Sequence, residues 1–359
     1  MIPYLEIRDN YTLKTVAIVE PQENWLELSY QDIGEFEIFC RASKANLKAL
    51  QKNRYVTIPN KRFVWVITSV RYVNTAGGAK MISATGYEAK WLLKKRCILT
   101  PKDLSGTITS ACYGLVNNNL GTGASAARKI VGFTVDTNDL QKKISETQAP
   151  RGNLLEFINP LLKQYNCGST VELVNGKLKY RIFAGADKTN SVKFTHSLDN
   201  LLTSEYLTDD AEKATFSLVV STVETEQTDG SKENIEYIKE YNNGATGIDR
   251  AEIFTASNLS TKYEDANGVE QETTPDSKLY QGWLYEEAKN KLAEHTTVER
   301  ISGEIDLANS NYTFDADYFI GDMVRVQDEH FNFYVNTKIS KYTFKQDANG
   351  YGEEADYGG

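Results

Sequence analysis

Bases able to activate a nucleophile are scarce in this chain, which has three histidines, His196, His295 and His330. Acyl transfer and related reactions set such a base beside a Ser, Cys or Thr. His196 stands in Lys193-Phe194-Thr195-His196-Ser197, next to the end of an expected strand. His295 closes a helical stretch, where a partly charged imidazole suits the macrodipole. His330 falls in an expected turn. Neither His-Glu-x-x-His nor Gly-x-Ser-x-Gly occurs. The four cysteines, Cys40, Cys97, Cys112 and Cys167, are far apart with no Cys-x-x-Cys. They read as free buried thiols, because zinc needs clustered ligands.

Other candidate constellations are equally thin. Leu120-Gly121-Thr122-Gly123-Ala124-Ser125 has the glycines of a phosphate loop but no Gly-Lys-Ser/Thr and no preceding strand, so it reads as a loop after a helix. Glu286-Glu287 and Asp209-Asp210 are paired carboxylates of the kind glycosidases use. Among 49 acids, adjacent pairs arise by chance, and both read as solvated faces. Trp25, Trp65, Trp91 and Trp283 could stack on sugars, but each lies on a stripe expected to be buried. Arg128, Arg151, Arg181 and Arg250 have no distinguishing context. No catalytic, cofactor-binding or metal-binding residue is assigned, and no cofactor is expected. The chain reads as a non-enzyme.

The elements that would position such residues follow from periodicity. Trp25 to Tyr30 and Gly34 to Phe39 alternate apolar and polar, and Phe63 to Val70 is a strongly β run. Lys44 to Gln51 is an expected helix with Leu47 and Leu50 on one side. Tyr87 to Lys95 is an expected short helix burying Trp91 and Leu92 and exposing Lys90, Lys94 and Lys95. A turn at 75–80 joins the strand before it to Met81–Gly86.

From Ile108, apolar residues at Ala111, Cys112, Leu115 and Val116 give a helix that Asn117-Asn118-Asn119 should end. A second helix carries Leu154, Leu155, Ile158, Leu161, Leu162 and Tyr165, with a kink or break expected at Pro160. Val171 to Phe183 is a hairpin around Asn175-Gly176. A further hairpin turns at 228–231, and a long helix runs from Asp276 to about Glu294 with Thr274-Pro275 at its start.

The order predicts an α+β, β-rich chain. Residues 1–100 form a first β-rich domain, and 101–195 an α+β insertion of two helices and a hairpin. Residues 196–345 form a second β-rich domain containing the long helix at about 276–294. Residues 346–359 are expected to be a flexible acidic, glycine-rich tail.

A chain of 359 residues is long enough for a core without disulfides or metal. No apolar run is long enough to span a membrane, and the start lacks the pattern of a signal peptide, so synthesis in the cytoplasm is expected. Net charge is -9 but uneven. Residues 41–100 hold 13 Lys and Arg against one acid, Glu88, whereas 201–240 hold 10 acids and 3 lysines. An acidic pI of about 5.1 argues against a dedicated nucleic-acid binder. Opposite charges meeting across a domain or subunit interface explain the asymmetry as well.

Several segments, in order over roughly residues 20–345, resemble the siphophage-type tail hub family, which includes the amino-terminal hub part of tail-associated lysins and is similar to the contractile-tail baseplate hub protein. They are Thr85–Arg96, Arg151–Glu156, Phe183–Thr189, Val192–Ser197 with Asp199-Asn200-Leu201 and Tyr206, Gly247–Glu252, and Asp317–Val324. The resemblance implies two related β-barrel-like hub domains with the α+β insertion between them. It implies a homotrimer whose six near-equivalent units form a pseudo-sixfold ring, joining a sixfold tail tube or distal tail ring to a threefold tip. Implied partners are the distal tail or tail tube protein, the tape measure protein, and a tip, fibre or lysin protein, with DNA only in transit through a central channel. The implied location is the tail tip of a phage, prophage or phage-tail-like particle. Tail-associated lysins often continue past the hub, whereas this chain stops at Gly359, so lytic work is expected of another chain. The alternatives are a cell-wall hydrolase and a polysaccharide-binding adhesin of the tail tip.

Overall fold

A computed structural model describes residues 4–74, 80–203, 205–226, 231–306, 310–328, 333–348 and 350–358. The protein is β-rich, with 45% of residues in strands and 18% in helices, and its several sheets are open rather than closed. The largest sheet has 13 strands and draws on both ends of the chain. Its order begins with Glu205–Asp209, Val298–Ile305, Gly350–Gly358 and Phe333–Asp347. It continues through Glu23–Ser29, Glu35–Arg41, Lys80–Glu88, Val64–Asn74, Tyr55–Thr57 and Leu5–Arg8 to Thr15–Val19. The seam between the two ends is antiparallel pairing of Phe333–Asp347 with Glu23–Ser29, in register Tyr342 with Leu28.

The alternation in Glu23–Ser29 and Glu35–Arg41 sends Leu26, Leu28, Phe36 and Ile38 into one core. There they meet Phe194, Phe314, Tyr342, Phe344 and Tyr357 from the other end. The unbroken apolar run Phe63 to Ile67 has a different cause. Trp65 and Ile67 face that core, whereas Val64 and Val66 face a second core beneath the middle of the chain. A strand buried on both faces needs no polar side.

Helix α1, Lys44–Ala49, buries Ala49, with Leu50 at its C-cap, but leaves Leu47 exposed, against expectation. Helix α2, Ile108–Leu120, starts at a capping box of Thr107 and Ser110 and runs through Asn117, Asn118 and Asn119 to a C-cap at Gly121. The asparagines do not end it, because the Asn119 side-chain Nδ2 donates to the Leu115 carbonyl one turn back and Leu120 completes the buried stripe. Helix α3, Leu154–Gln164, is capped by Asn153 and continues through Pro160 without a break. Its buried stripe of Leu154, Leu155, Ile158, Leu161 and Leu162 holds it in place. The Asn175-Gly176 hairpin is as expected, both turn residues having positive φ (51° and 72°). Helix α4, Lys278–Ala293, is capped by Ser277, whose hydroxyl accepts from the Tyr280 amide, so the cap lies downstream of Thr274-Pro275. The turns at 75–79 and 227–230, and His330, lie outside the described residues.

The end of the chain is not a flexible tail. Gly350–Gly358 is an interior strand paired on both sides, with Val298–Ile305 and Phe333–Asp347. Ala355 and Tyr357 are fully buried. Its acids and glycines masked a period of two: Glu353, Ala355 and Tyr357 point inward, and the Glu353 carboxylate is bonded by the Tyr342 and Tyr351 hydroxyls.

Candidate functional site

Five of the six segments that carry the family resemblance meet at two junctions and hold backbone to backbone. Gly185 and Gly321 touch so closely that a Cβ on Gly185 would lie 1.6 Å from the Gly321 carbonyl oxygen. A Cβ on Gly321 (φ 88°) would meet the Tyr30 ring at 2.3 Å. Beside this contact, Asp322 accepts from the Ala186 amide (2.7 Å) through one carboxylate oxygen and from the Phe319 amide (2.9 Å) through the other. The Met323 amide donates to the Ala186 carbonyl, and the Lys188 amide returns to the Met323 carbonyl. The Asn200 side chain closes the neighbouring turn, its Oδ1 accepting from the Thr195 amide and its Nδ2 donating to the Lys193 carbonyl. Phe183–Thr189, Val192–Leu201 and Asp317–Val324 are therefore one locked junction.

A second junction joins the basic turn to the insertion. The segment Ala89–Lys95 forms a 3-10 helix. The Leu154 amide donates to the Arg96 carbonyl, and the Asn153 side chain donates to the Lys94 carbonyl. Lys94 and Lys95 are exposed as expected, but Lys90 is 1% exposed. Its Nζ pairs with Glu88 Oε1 (2.6 Å) and donates to the Ser29 carbonyl (2.6 Å) and the Ser169 carbonyl (3.3 Å). Burial draws the Lys90 ammonium below its ordinary pKa, and nearby Asp32 and Glu27 oppose that fall. Amphipathic spacing misplaces Lys90 because the helix is 3-10 and packed on three sides. The legible signal was Glu88, the one acid in a run of cations.

The residues that could have done chemistry are dispersed. His295 Nδ1 lies 3.1 Å from the Glu212 carbonyl at the end of α4, and His196 begins a 3-10 turn after Lys193–Thr195. Cys40, Cys112 and Cys167 are buried, and Cys97 is exposed. Among the described residues no three His, Cys, Asp or Glu side chains form a metal-binding group. Asp209 and Asp210 are exposed, Asp210 paired with Lys213. Glu286 and Glu287 are half-buried rather than solvated: Glu286 pairs with Lys289, and Glu287 accepts from the Ser257 hydroxyl (2.5 Å). Burial raises the Glu287 pKa.

Trp65 and Trp283 are core residues, whereas Trp25 and Trp91 are half-buried, Trp91 stacked between Tyr87 and the Lys95 ammonium. Arg128, Arg151, Arg181 and Arg250 serve local structure. Arg128 donates to the Cys97 carbonyl and the Asn119 side chain, and Arg151 to the Leu99 carbonyl. Arg181 pairs with Glu172, and Arg250 pairs with Glu252 while covering the Phe216 ring. The Leu120–Ser125 loop turns on itself, with the Asn117 side-chain Oδ1 accepting from the Thr122 amide and hydroxyl.

A cleft of about 1000 Å³ opens between the seam, α3 and α4. Its cations are engaged: Lys163 with Asp32 (3.0 Å), Lys289 with Glu286, and Lys338 with Asn166 over the Tyr30 ring. Carboxylates thus balance Lys163 and Lys289, and a neutral amide holds Lys338. No helix is long and apolar enough to cross a membrane among the described residues.

The whole chain is similar in fold to solved phage tail proteins. It superposes on the tail protein from Neisseria meningitidis MC58 with a TM-score of 0.56 and 11% identity, covering 99% of this chain and 96% of that one. For the 43 kDa tail protein of prophage MuSo2 from Shewanella oneidensis the values are 0.56 and 12%, with 99% and 98% coverage. For prophage tail protein gp18 from Listeria monocytogenes EGD-e they are 0.51 and 12%, with 99% and 94% coverage. No curated protein matches the sequence. Residues 4–358 match the family described as Siphovirus ReqiPepy6 Gp37-like protein. Family and fold together support a structural protein of a phage tail, as the recurrent segments implied. The chain belongs to the Siphovirus ReqiPepy6 Gp37-like protein family.

Proposed function

We propose that the chain is the hub subunit of a tail tip or baseplate. In this reading three copies form a pseudo-sixfold ring that joins the sixfold tail tube or distal tail ring to a threefold tip. The first and last β segments act as related units with the middle inserted between them. Neighbours are the distal tail or tube protein, the tape measure protein, and a tip, fibre or lysin protein, and DNA passes only through the channel. The chain does no catalysis of its own.

The observation that supports this most is the use made of the recurrent segments. Gly185, Gly321 and Asp322 weld strands together instead of converging on a reactive group. Such backbone-to-backbone contact serves a rigid body, and a ring subunit must hold its faces at fixed angles. Light scattering on the purified chain, paired with peptidoglycan zymography, tests the reading. Three copies per particle and no clearing are expected; a persistent monomer that clears peptidoglycan overturns it in favour of a hydrolase. Saturable polysaccharide binding by a monomer would turn it toward an adhesin.

A further inference from the structure

The sheet of Phe216–Glu226, Lys232–Asn242 and Glu252–Ala256 has one covered face and one open face. Val219, Tyr237 and Tyr241 pack against α4. On the other face, register places Ile238, Val220 and Ala256 in one row and Glu240, Leu218 and Phe254 in the next. Phe254 is 67% exposed and Ile238 51%. Exposed Glu236 and Glu240 border this patch and have no ion pair among the described residues. An open apolar sheet face with an anionic rim is the composition of an interface rather than of a solvated surface.

A complementary face lies at the other end of the same chain. On the outer side of Glu35–Arg41, Lys80–Glu88 and Val64–Asn74, register lines up Phe39 with Ser83 and Arg71, and Arg41 with Met81 and Val73. Phe39, Met81 and Val73 are half-exposed, and Arg41 and Arg71 are exposed beside them. The acids on this side are Glu37, which accepts from the Ser83 hydroxyl (2.7 Å), Glu35 at the far end of its strand, and Glu23, which stands opposite Phe39 on the side away from Arg71. Residues 41–100 have one acid, Glu88, and it is buried against Lys90, so the segment's exposed charge is cationic.

We propose that the Phe254–Ile238 face of one copy docks on the Phe39–Met81–Val73 face of the next, with Glu236 and Glu240 meeting Arg41 and Arg71. The contact joins two different faces, so it is heterologous and propagates around a ring. It rests on the ring reading and names a contact for it.

Sedimentation velocity on the full chain across a concentration series tests this. Reversing one rim, as Glu236→Arg with Glu240→Arg or as Arg41→Glu with Arg71→Glu, should weaken self-association by about tenfold or more. Phe254→Ser should weaken it by about 30-fold, as for a central anchor. Combining both reversals in one chain should restore association, which a folding defect would not do; unchanged thermal melting checks the fold of each variant. A wild-type trimer indifferent to every reversal leaves the ring reading standing and overturns this contact. A wild-type chain that stays monomeric throughout the series also overturns it, while the ring reading is then judged on assembled tails.

Discussion

Lys90 Nζ lies 2.6 Å from Glu88 Oε1, and neither side chain reaches solvent. The pair ties the edge of the first β segment to the insertion through the Ser29 and Ser169 carbonyls. Ions this deep are costly to desolvate, so the pair is worth little over an apolar pair but much over a broken one.

Replacing Lys90 alone by Met leaves Glu88 buried without its cation and should cost about 3–5 kcal/mol. The double change Glu88→Leu with Lys90→Met should recover most of that loss. Urea melts of the wild type, Glu88→Leu, Lys90→Met and the double variant measure the coupling. Additive losses would mean the two charges do not act as a pair.

At the first junction, Gly185→Ala would place a methyl 1.6 Å from backbone oxygen, which no side-chain movement relieves. A loss of several kcal/mol, or no soluble protein, is expected. Gly282→Ala is the control, because nothing lies within 4 Å of the added carbon and the site is inside α4. It should stabilise by about 0.5–1 kcal/mol. Thermal melts of the two variants should move in opposite directions.

Asp322→Ala removes the acceptor of the Ala186 and Phe319 amides and should cost about 1–3 kcal/mol. Hydrogen exchange should quicken at those two amides before it changes elsewhere. Uniform quickening would assign Asp322 no local role.

Thiol titration should separate the cysteines. Cys97 is exposed, whereas burial pushes the Cys40 thiol up to about 11 and raises the Cys112 and Cys167 thiols as well. One thiol per chain should react with an aromatic disulfide reagent in the folded protein and four after denaturation. Loss of the fast reaction in Cys97→Ser completes the assignment.

Ending the chain at Lys345 would delete a strand paired on both sides together with Tyr357. The truncated protein should fail to fold, whereas removal of a mobile tail would leave the melting temperature unchanged.

These sites differ in how far the sequence reveals them. Alternation placed Leu26, Leu28, Phe36 and Ile38 inward, and Asn175-Gly176 marked its hairpin, since both signals are local. The final strand was hidden because glycines and acids dominate Gly350–Gly358, and its pairing partners come from distant segments. Lys90 was hidden because a charge reads as solvated unless its partner is known. The Gly185–Gly321 contact is likewise non-local: each glycine resembles a turn residue until the two are seen in contact.

The central claim is that this chain is a ring-forming hub at a tail tip, and it is tested most directly by a cryo-electron microscopy reconstruction of the intact particle. The account predicts three copies in one ring at the distal end of the tube, each with its 13-stranded sheet intact. Finding the chain repeated along the tube, or as a single copy away from the axis, would contradict it.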